Sequence, residues 1–558
     1  MELIFVYVEE YKVLNKMSFV THPLFNVEFI NGEVKISKKD DRIMGYYNGI
    51  AIKAIIGKNG SGKSTALEFI EESFNYTESS GFMVWFNKND NTFTIQNVNY
   101  AIDMLTFDFC YPHSVMKINN KTLKKNNHNI VKINNLSGFL PSAKSQKTPN
   151  IIDLSLGKQK SLIGNTKNLN LRKLITFFNE SGWIKNKKVI YTYNFSFKSP
   201  SNIIRNWVFE TFRKNNSNLK SYVLKNKFSE SYDFIFFPFD PVDVKITSHH
   251  DIFYKLITRN IFSLIKYTLT TNIVDNAFAE SLVLRTLDYI SIKKHISPFS
   301  FIALLESAYY DWKAESNKNI NMTGFDCDIL KAKVVLTFKQ LEEVARTIYE
   351  YISFNEVKII SDNVVINDFE VIVKLLDSIS KLPKHISNNF SYGWTGFSTG
   401  ELAKLNIFSS IYNYVKNNKS NTTLFILDEV DLYLHPEWQR TLISEMISFF
   451  TKETDVSKVQ ILITTHSPLI IGDFLADDII SLQIDNNGNS ILSEPYGFGT
   501  EITDSYISGM HIASTFGEHS RNKILQLVKH KLEDSLNEDE YWLISCLKDS
   551  SIKRMLEK

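Results

Sequence analysis

The chain has 558 residues, 43% hydrophobic and 22% charged, with 63 basic against 61 acidic residues and a formal charge of +2. That length exceeds one ordinary core and points to about two to four structural units, while the near-neutral balance excludes nucleic-acid binding through overall charge, so any polyanion contact needs a local patch. Cys110, Cys327 and Cys546 lie far apart without metal-ligand spacing and read as unpaired thiols of a reducing compartment.

From the N-terminus, MELIFVYVEEYK places Glu2, Glu9 and Glu10 where a secretory signal would be basic. No stretch reaches the roughly 18 apolar residues of a membrane span, so a cytoplasmic protein with no membrane partner is expected. Leu3 to Val8 reads as a strand. Val27 to Phe29 and Val34 to Ile36 flank Asn31-Gly32, a dipeptide that supplies the positive φ angles of a tight hairpin. The apolar strand Ala51 to Ile56 then runs into Gly57-Lys58-Asn59-Gly60-Ser61-Gly62-Lys63-Ser64-Thr65 and an amphipathic helix. This is GxxxxGK[ST] in its strand–loop–helix setting, where glycines let main-chain N–H groups face phosphates and the helix N-terminus adds positive charge. Lys63 would reach the β- and γ-phosphates of ATP, and the Ser64 hydroxyl would ligate Mg²⁺. A chance glycine-rich turn is the alternative, and the flanking strand and helix speak against it. A second hairpin is expected between Phe82–Phe86 and Thr92–Ile95.

From Lys117 to Leu171 the composition shifts to Asn, Lys, Ser and Gly, which reads as loop-rich and basic. Residues 200 to 380 read mainly as helices, and Asp251 to Tyr267 and Leu330 to Phe354 show three- and four-residue apolar spacing. No seven-residue repeat persists, so a long coiled coil is not expected. Ser398-Thr399-Gly400-Glu401 opens a helix whose apolar face carries Leu402, Leu405, Ile407 and Phe408. A small turn at a helix N-terminus is an anion site; an ordinary N-cap, with Ser398 and Glu401 forming a capping box, is the competing reading. Leu424 to Leu427 is a buried strand that delivers Asp428 and Glu429 at its C-terminal edge. Asp428 suits the Mg²⁺ side, and Glu429 can polarise an attacking water as general base. Ile461 to Ile463 is a further strand, tipped by His466 where it could hydrogen-bond a γ-phosphate or that water. A lone histidine is more often structural. Beyond residue 520 the chain reads as helical and charged.

In this order the four motifs resemble the Walker A, signature, Walker B and switch-histidine set of ABC-type ATPases, in the RecF, Rad50 and SMC branch. Transporters follow the acidic pair with Pro-Thr-Ser-Ala-Leu-Asp; here the run is Val430-Asp431-Leu432-Tyr433-Leu434-His435-Pro436. Leu434-His435-Pro436, Gln439 and Thr465-His466-Ser467-Pro468 are similar to compact AAA-like ABC ATPases of prokaryotic defence systems. The long interval from Thr65 to Ser398 and the segment GFGTEITDSYISGMHIASTFGEHSRNKI from Gly497 resemble PtuA-type ATPases of Septu and retron-associated systems. The resemblance covers the two ATPase lobes, about half the chain. It implies ATP held between protomers of a homodimer or higher assembly, with Ser398, Thr399, Gly400 and Glu401 acting in trans and Asp431 and His435 in the dimer-contact turn. Departures are the Ser-Thr-Gly-Glu signature, a mild difference where Ser-Gly-Gly-Gln or Ser-x-Gly-Glu is usual, and the Q-loop, which neither Gln96 nor Gln159 fills convincingly.

The resemblance further implies a separate HNH nuclease partner (PtuB-like), with a reverse transcriptase and its small DNA where a retron is present. Asp326-Cys327-Asp328 reads as a helix start and His249-His250 as incidental, so no nuclease centre is expected in this chain. The expected architecture is an α/β ABC-type head of two lobes, a mixed sheet with flanking helices, interrupted by a mostly helical insertion. Boundaries fall at 1–155 for the N-lobe, 156–385 for the insertion, 386–495 for the C-lobe and 496–558 for a helical tail. The insertion would be a partner or nucleic-acid platform; basic residues cluster at Lys117–Lys125 and from Arg213, where they suit phosphate contacts, with solvated faces of an Asn- and Lys-rich chain as the competing reading. A RecF-like DNA-repair ATPase is the alternative function.

Overall fold

A computed structural model of the chain describes residues 1–74, 79–116, 127–135, 150–155, 165–181, 192–197, 201–215, 222–236, 246–269, 276–315, 327–355, 363–485, 488–495, 497–500, 504, 518–547 and 550–557. Two compact units emerge: Met1–Lys158 with Ala403–Lys558, and Gln159–Leu402.

The first unit is built on a sheet that has seven strands among the described residues, in the order Ile151–Asp153, His128–Asn134, Thr422–Asp428, Val459–Thr464, Ala51–Gly57, Ile479–Ile484, Ser490–Ser493. All neighbours run parallel except the last pair. Every residue of Ala51–Gly57 and Val459–Thr464 is buried. Strands covered on both faces have no solvent side to alternate with, which is why they read as near-continuous apolar runs. The register sets Asn134 beside Asp428 and Thr464 beside Ile55, so the C-terminal ends of non-consecutive strands line up along one edge. That edge is where open parallel sheets bind ligands.

The N-terminal segment adds a sheet ordered Leu14–Val20, Glu2–Tyr11, Ser80–Asn87, Thr92–Val98, His113–Met116, and a smaller one of Phe25–Ile30, Glu33–Lys38 and Thr106–Phe109. Both expected hairpins are present. Asn31 and Gly32 take φ of 50° and 82°, and Asn91 takes 48°. Phe5, Phe25, Phe82, Phe86 and Phe93 make one aromatic core between these strands.

The second unit is mostly helical. Its helices include His249–Leu264, Asn276–Lys293, Pro298–Glu315, Cys327–Asn355 and Phe369–Lys381. They pack through Leu256, Phe262, Leu282, Phe301, Phe338 and Leu375, among others. Cys327 and Asp328 do start a helix; Asp326 lies outside the described residues. A three-stranded antiparallel sheet of Asn363–Ile366, Thr192–Phe197 and Phe390–Thr395 was not foreseen. Its alternation is short (Val364 and Ile366 buried, Val365 exposed), too few residues to stand out from helical spacing.

The stretch from Lys117 to Leu171 corrects the sequence reading. It supplies two strands of the main sheet, His128–Asn134 and Ile151–Asp153, and the start of the helix Asn165–Ser181. Only Ile130, Val131 and Ile133 of the longer strand are apolar. Its polar side chains meet distant partners: Asn129 donates to the Tyr414 hydroxyl at 2.7 Å, His128 Nδ1 meets Thr422 Oγ1 at 3.0 Å, and Lys132 pairs with Glu71 at 2.9 Å. Lys117–Lys125, Gln159 and most of the segment following Gly497 lie outside the described residues. In the basic stretch from Arg213, Arg213 and Lys214 are paired with Glu210 and Glu280. The chain ends in helices Glu518–Leu532, Glu538–Cys546 and Ser550–Glu557 around Leu527, Ile544 and Leu556. Among the described residues no helix is long and apolar enough to cross a membrane.

Candidate active site

The loop after Ala51–Gly57 folds as glycine chemistry requires. Gly57 takes φ 145°, and a Cβ there would lie 2.2 Å from the Leu482 carbonyl oxygen and 2.5 Å from Ser61 Oγ. At Gly62, φ 95°, a Cβ would lie 2.8 Å from both Leu14 Cδ2 and Ser490 Oγ. Gly62 is also the N-cap of the helix Lys63–Glu72 and offers no side-chain acceptor, leaving first-turn N–H groups for an anion. Lys63 curls back over the loop, its Nζ donating to the carbonyls of Gly57 and Lys58, both at 3.0 Å. Burial pulls its pKa below the usual lysine value, against the opposing pull of Glu429, Asp428 and Asp431. Ser61 Oγ is buried with no hydrogen-bond partner. Lys58 and Asn59 are exposed, and Ser64 and Thr65 half-buried. Gly57→Ala is expected to weaken ATP binding about five- to a hundredfold, through about 1–3 kcal/mol of backbone strain. Titration calorimetry with ATP checks this, and parent affinity would mean that the loop tolerates the added carbon.

Asp428 is gripped from three sides. Its Oδ1 accepts from Ser64 Oγ at 3.1 Å and from Thr464 Oγ1 at 2.7 Å, and its Oδ2 accepts from Asn134 Nδ2 at 3.1 Å. Glu429, next along, takes φ 48° and donates its N–H to Thr464 Oγ1 at 2.8 Å. Burial, then the charge of Asp428, pushes the Glu429 carboxyl above the usual carboxylate range. His466 Nε2 lies 4.0 Å from Glu429 Oε1. Burial, then Lys63, holds its imidazole below the ordinary value and so neutral near pH 7. The His466 N–H donates to Asp431 Oδ2 at 3.3 Å, so Asp431 is buried and engaged within the chain. His435 is exposed and caps the helix Pro436–Glu453, accepting from the Glu437 N–H at 3.3 Å. Gln439 ties this turn to the segment that follows His466: it donates to the Leu434 carbonyl at 3.0 Å and accepts from Ser467 Oγ at 2.7 Å.

Lys63, Ser64, Asp428, Glu429, Asp431 and His466 are therefore gathered at one sheet edge. The sequence reading did not name Asn134 or Thr464, because their roles depend on neighbours far along the chain, and it named Gln439 only through the family resemblance. Gln96 is buried elsewhere, accepting from Trp85 Nε1 at 2.8 Å and donating to Ser73 Oγ at 3.4 Å. Asn134 is the amide that stands beside Asp428. Ser398, Thr399, Gly400 and Glu401 belong to the second unit and lead into the helix Thr399–Asn417. The Ser398 N–H donates to Glu401 Oε2 at 3.0 Å and the Glu401 N–H to Ser398 Oγ at 3.2 Å, which is the reciprocal capping box.

The family described as "AAA domain, putative AbiEii toxin, Type IV TA system" matches residues 184–472, just over half the chain. The match spans Ser398, Asp428, Glu429 and His466 and begins after the glycine-rich loop Gly57–Ser64. The chain is 26% identical over 145 residues to the retron Vc95 probable ATPase of Vibrio cholerae serotype O1 biovar El Tor, covering 26% of each. It is 34% identical over 79 residues to the Septu protein PtuA of Bacillus thuringiensis, covering 13% of this chain and 18% of that protein. The chain thus spans about a quarter or less of the length of the curated relatives it matches. The solved structure of the recombination mediator protein RecF-ATPrS in the RecFOR pathway matches at 10% identity with a TM-score of 0.21, over 86% of this chain and 96% of that one.

Proposed function

The chain belongs to the AAA-domain family whose description also names the AbiEii toxin, and on that footing we propose that it binds and hydrolyses ATP as a homodimer and controls a separate HNH nuclease in prokaryotic anti-phage defence. One observation carries the ATPase reading: the Ser64 hydroxyl meets the Asp428 carboxylate directly, with Glu429 and His466 4.0 Å apart beside them. Sequence-distant groups converge there in the arrangement that phosphoryl transfer needs.

Main-chain N–H groups of Gly57 to Ser64 and the Lys63 ammonium hold the phosphates of ATP. The Ser64 hydroxyl and Asp428 carboxylate, hard oxygen donors 3.1 Å apart, fit a small divalent cation that keeps most of its ligands as water and phosphate. When bound there, Mg²⁺ supplies charge neutralisation at the β- and γ-phosphates. Glu429 takes a proton from the water whose oxygen attacks the γ-phosphorus. The bond to the β–γ bridging oxygen breaks, and ADP and phosphate leave. Neutral His466 donates a hydrogen bond to the γ-phosphate or orients that water. The Ser398–Glu401 turn of a second copy closes over the same phosphate, releasing its capping hydrogen bonds to do so.

Similarity to a retron ATPase and to a Septu protein supports the defence placement, and the motif resemblance supports an HNH nuclease as partner. Affinity purification of the Glu429→Gln chain from its host, with ATP present, is expected to recover such a nuclease in stoichiometric amount. A reverse transcriptase with its small DNA would accompany it in a retron system. Recovery of DNA or repair factors without any nuclease would overturn the defence reading in favour of a RecF-like role.

A further inference from the structure

Thr464 ends the strand Val459–Thr464 and is fully buried. The ladder joining this strand to Thr422–Asp428 stops at the pair Leu427 and Ile463. Beyond that point the two main chains part, and Glu429 turns into the left-handed region at φ 48°. A residue with a β-carbon stays there only where its surroundings impose it. With no strand partner for its N–H, Glu429 donates instead to Thr464 Oγ1 at 2.8 Å. The same hydroxyl donates its own proton to Asp428 Oδ1 at 2.7 Å. One side chain therefore holds the main chain of one acidic residue and the carboxylate of the other.

A hydroxyl is the smallest group able to do both, since it accepts and donates through one atom. Valine would fill the same space and supply neither bond. Serine would supply both but lacks the methyl group that restricts threonine to few rotamers.

We propose that Thr464 is a positioning residue for hydrolysis: its hydroxyl fixes the turn that aims the Glu429 carboxylate, and locks Asp428 toward Ser64. This rests on the roles given to Asp428 and Glu429 above. Thr464 acts through those two residues.

Thr464→Val is expected to keep ATP affinity within about twofold by direct titration, and to lower kcat about ten- to a hundredfold with KM little changed. Thr464→Ser should recover kcat to within a few-fold of the parent. Amide hydrogen exchange at Glu429, read on the nucleotide-free protein, should be faster in the valine variant than in the parent or the serine variant. Should the valine variant aggregate, Thr464→Ala removes the same oxygen without adding an apolar branch. Parent turnover and parent protection at Glu429 in the valine or alanine variant would overturn the proposal, as would a serine variant as impaired as the valine one. Glu429→Gln, measured alongside, separates the two levels: parent turnover there defeats the underlying reading, whereas a dead glutamine variant beside a fully active valine variant defeats this proposal alone.

Discussion

Lys63→Ala is expected to abolish ATP binding. The ammonium is buried and closes the loop on itself through the carbonyls of Gly57 and Lys58. Removing it takes away the cation that faces the phosphates and leaves two carbonyls to find other donors. It also strips the compensating charge from Glu429, Asp428 and Asp431, which all act on Lys63. Losing the charge-assisted contact that this ammonium would make to the phosphates is expected to raise Kd by about a hundredfold or more. Titration with a fluorescent ATP analogue reads the loss, and thermal melting of the nucleotide-free variant separates it from unfolding. Retained affinity in a folded variant would sink the phosphate-loop assignment.

The opposite split is expected for Glu429→Gln. Glutamine keeps the size of the side chain and the main-chain N–H that Thr464 Oγ1 accepts, so the turn and the nucleotide site should survive. What disappears is the ability to take a proton from water, a contribution of about 10²–10⁴ in rate. Turnover should therefore fall by that factor while ATP affinity holds, and the ATP-bound dimer should accumulate. Steady-state hydrolysis and light scattering with and without ATP measure the two halves. Turnover at the parent rate would remove Glu429 as the base, and a monomer in saturating ATP would remove the dimer.

These expectations start from motifs that a local reading can find. Gly57 to Ser64 is legible because the phosphate loop is contiguous: positive-φ glycines, lysine and hydroxyl follow one another within a single strand–loop–helix. The hairpin at Asn31-Gly32 is legible for the same reason, since its turn depends on two residues whose φ angles their own side chains permit. The buried strands that carry Asp428 and His466 announce themselves by apolar runs. His128–Asn134 does not, because its polar groups are paired with Tyr414, Thr422 and Glu71, and only folding supplies those partners.

The sequence alone determined the phosphate loop, the acidic pair, the histidine tip and the α/β class, all of which rest on residues within a few positions of one another. Tertiary structure decided what surrounds them. A parallel sheet sets side by side strands that crossovers keep far apart in the chain, so Asn134 reaches Asp428 across 294 positions and Thr464 reaches it across 36. Spacing along the chain carries no trace of those meetings. They follow from register and from the need of buried polar groups to find partners, both of which exist only once the sheet has formed.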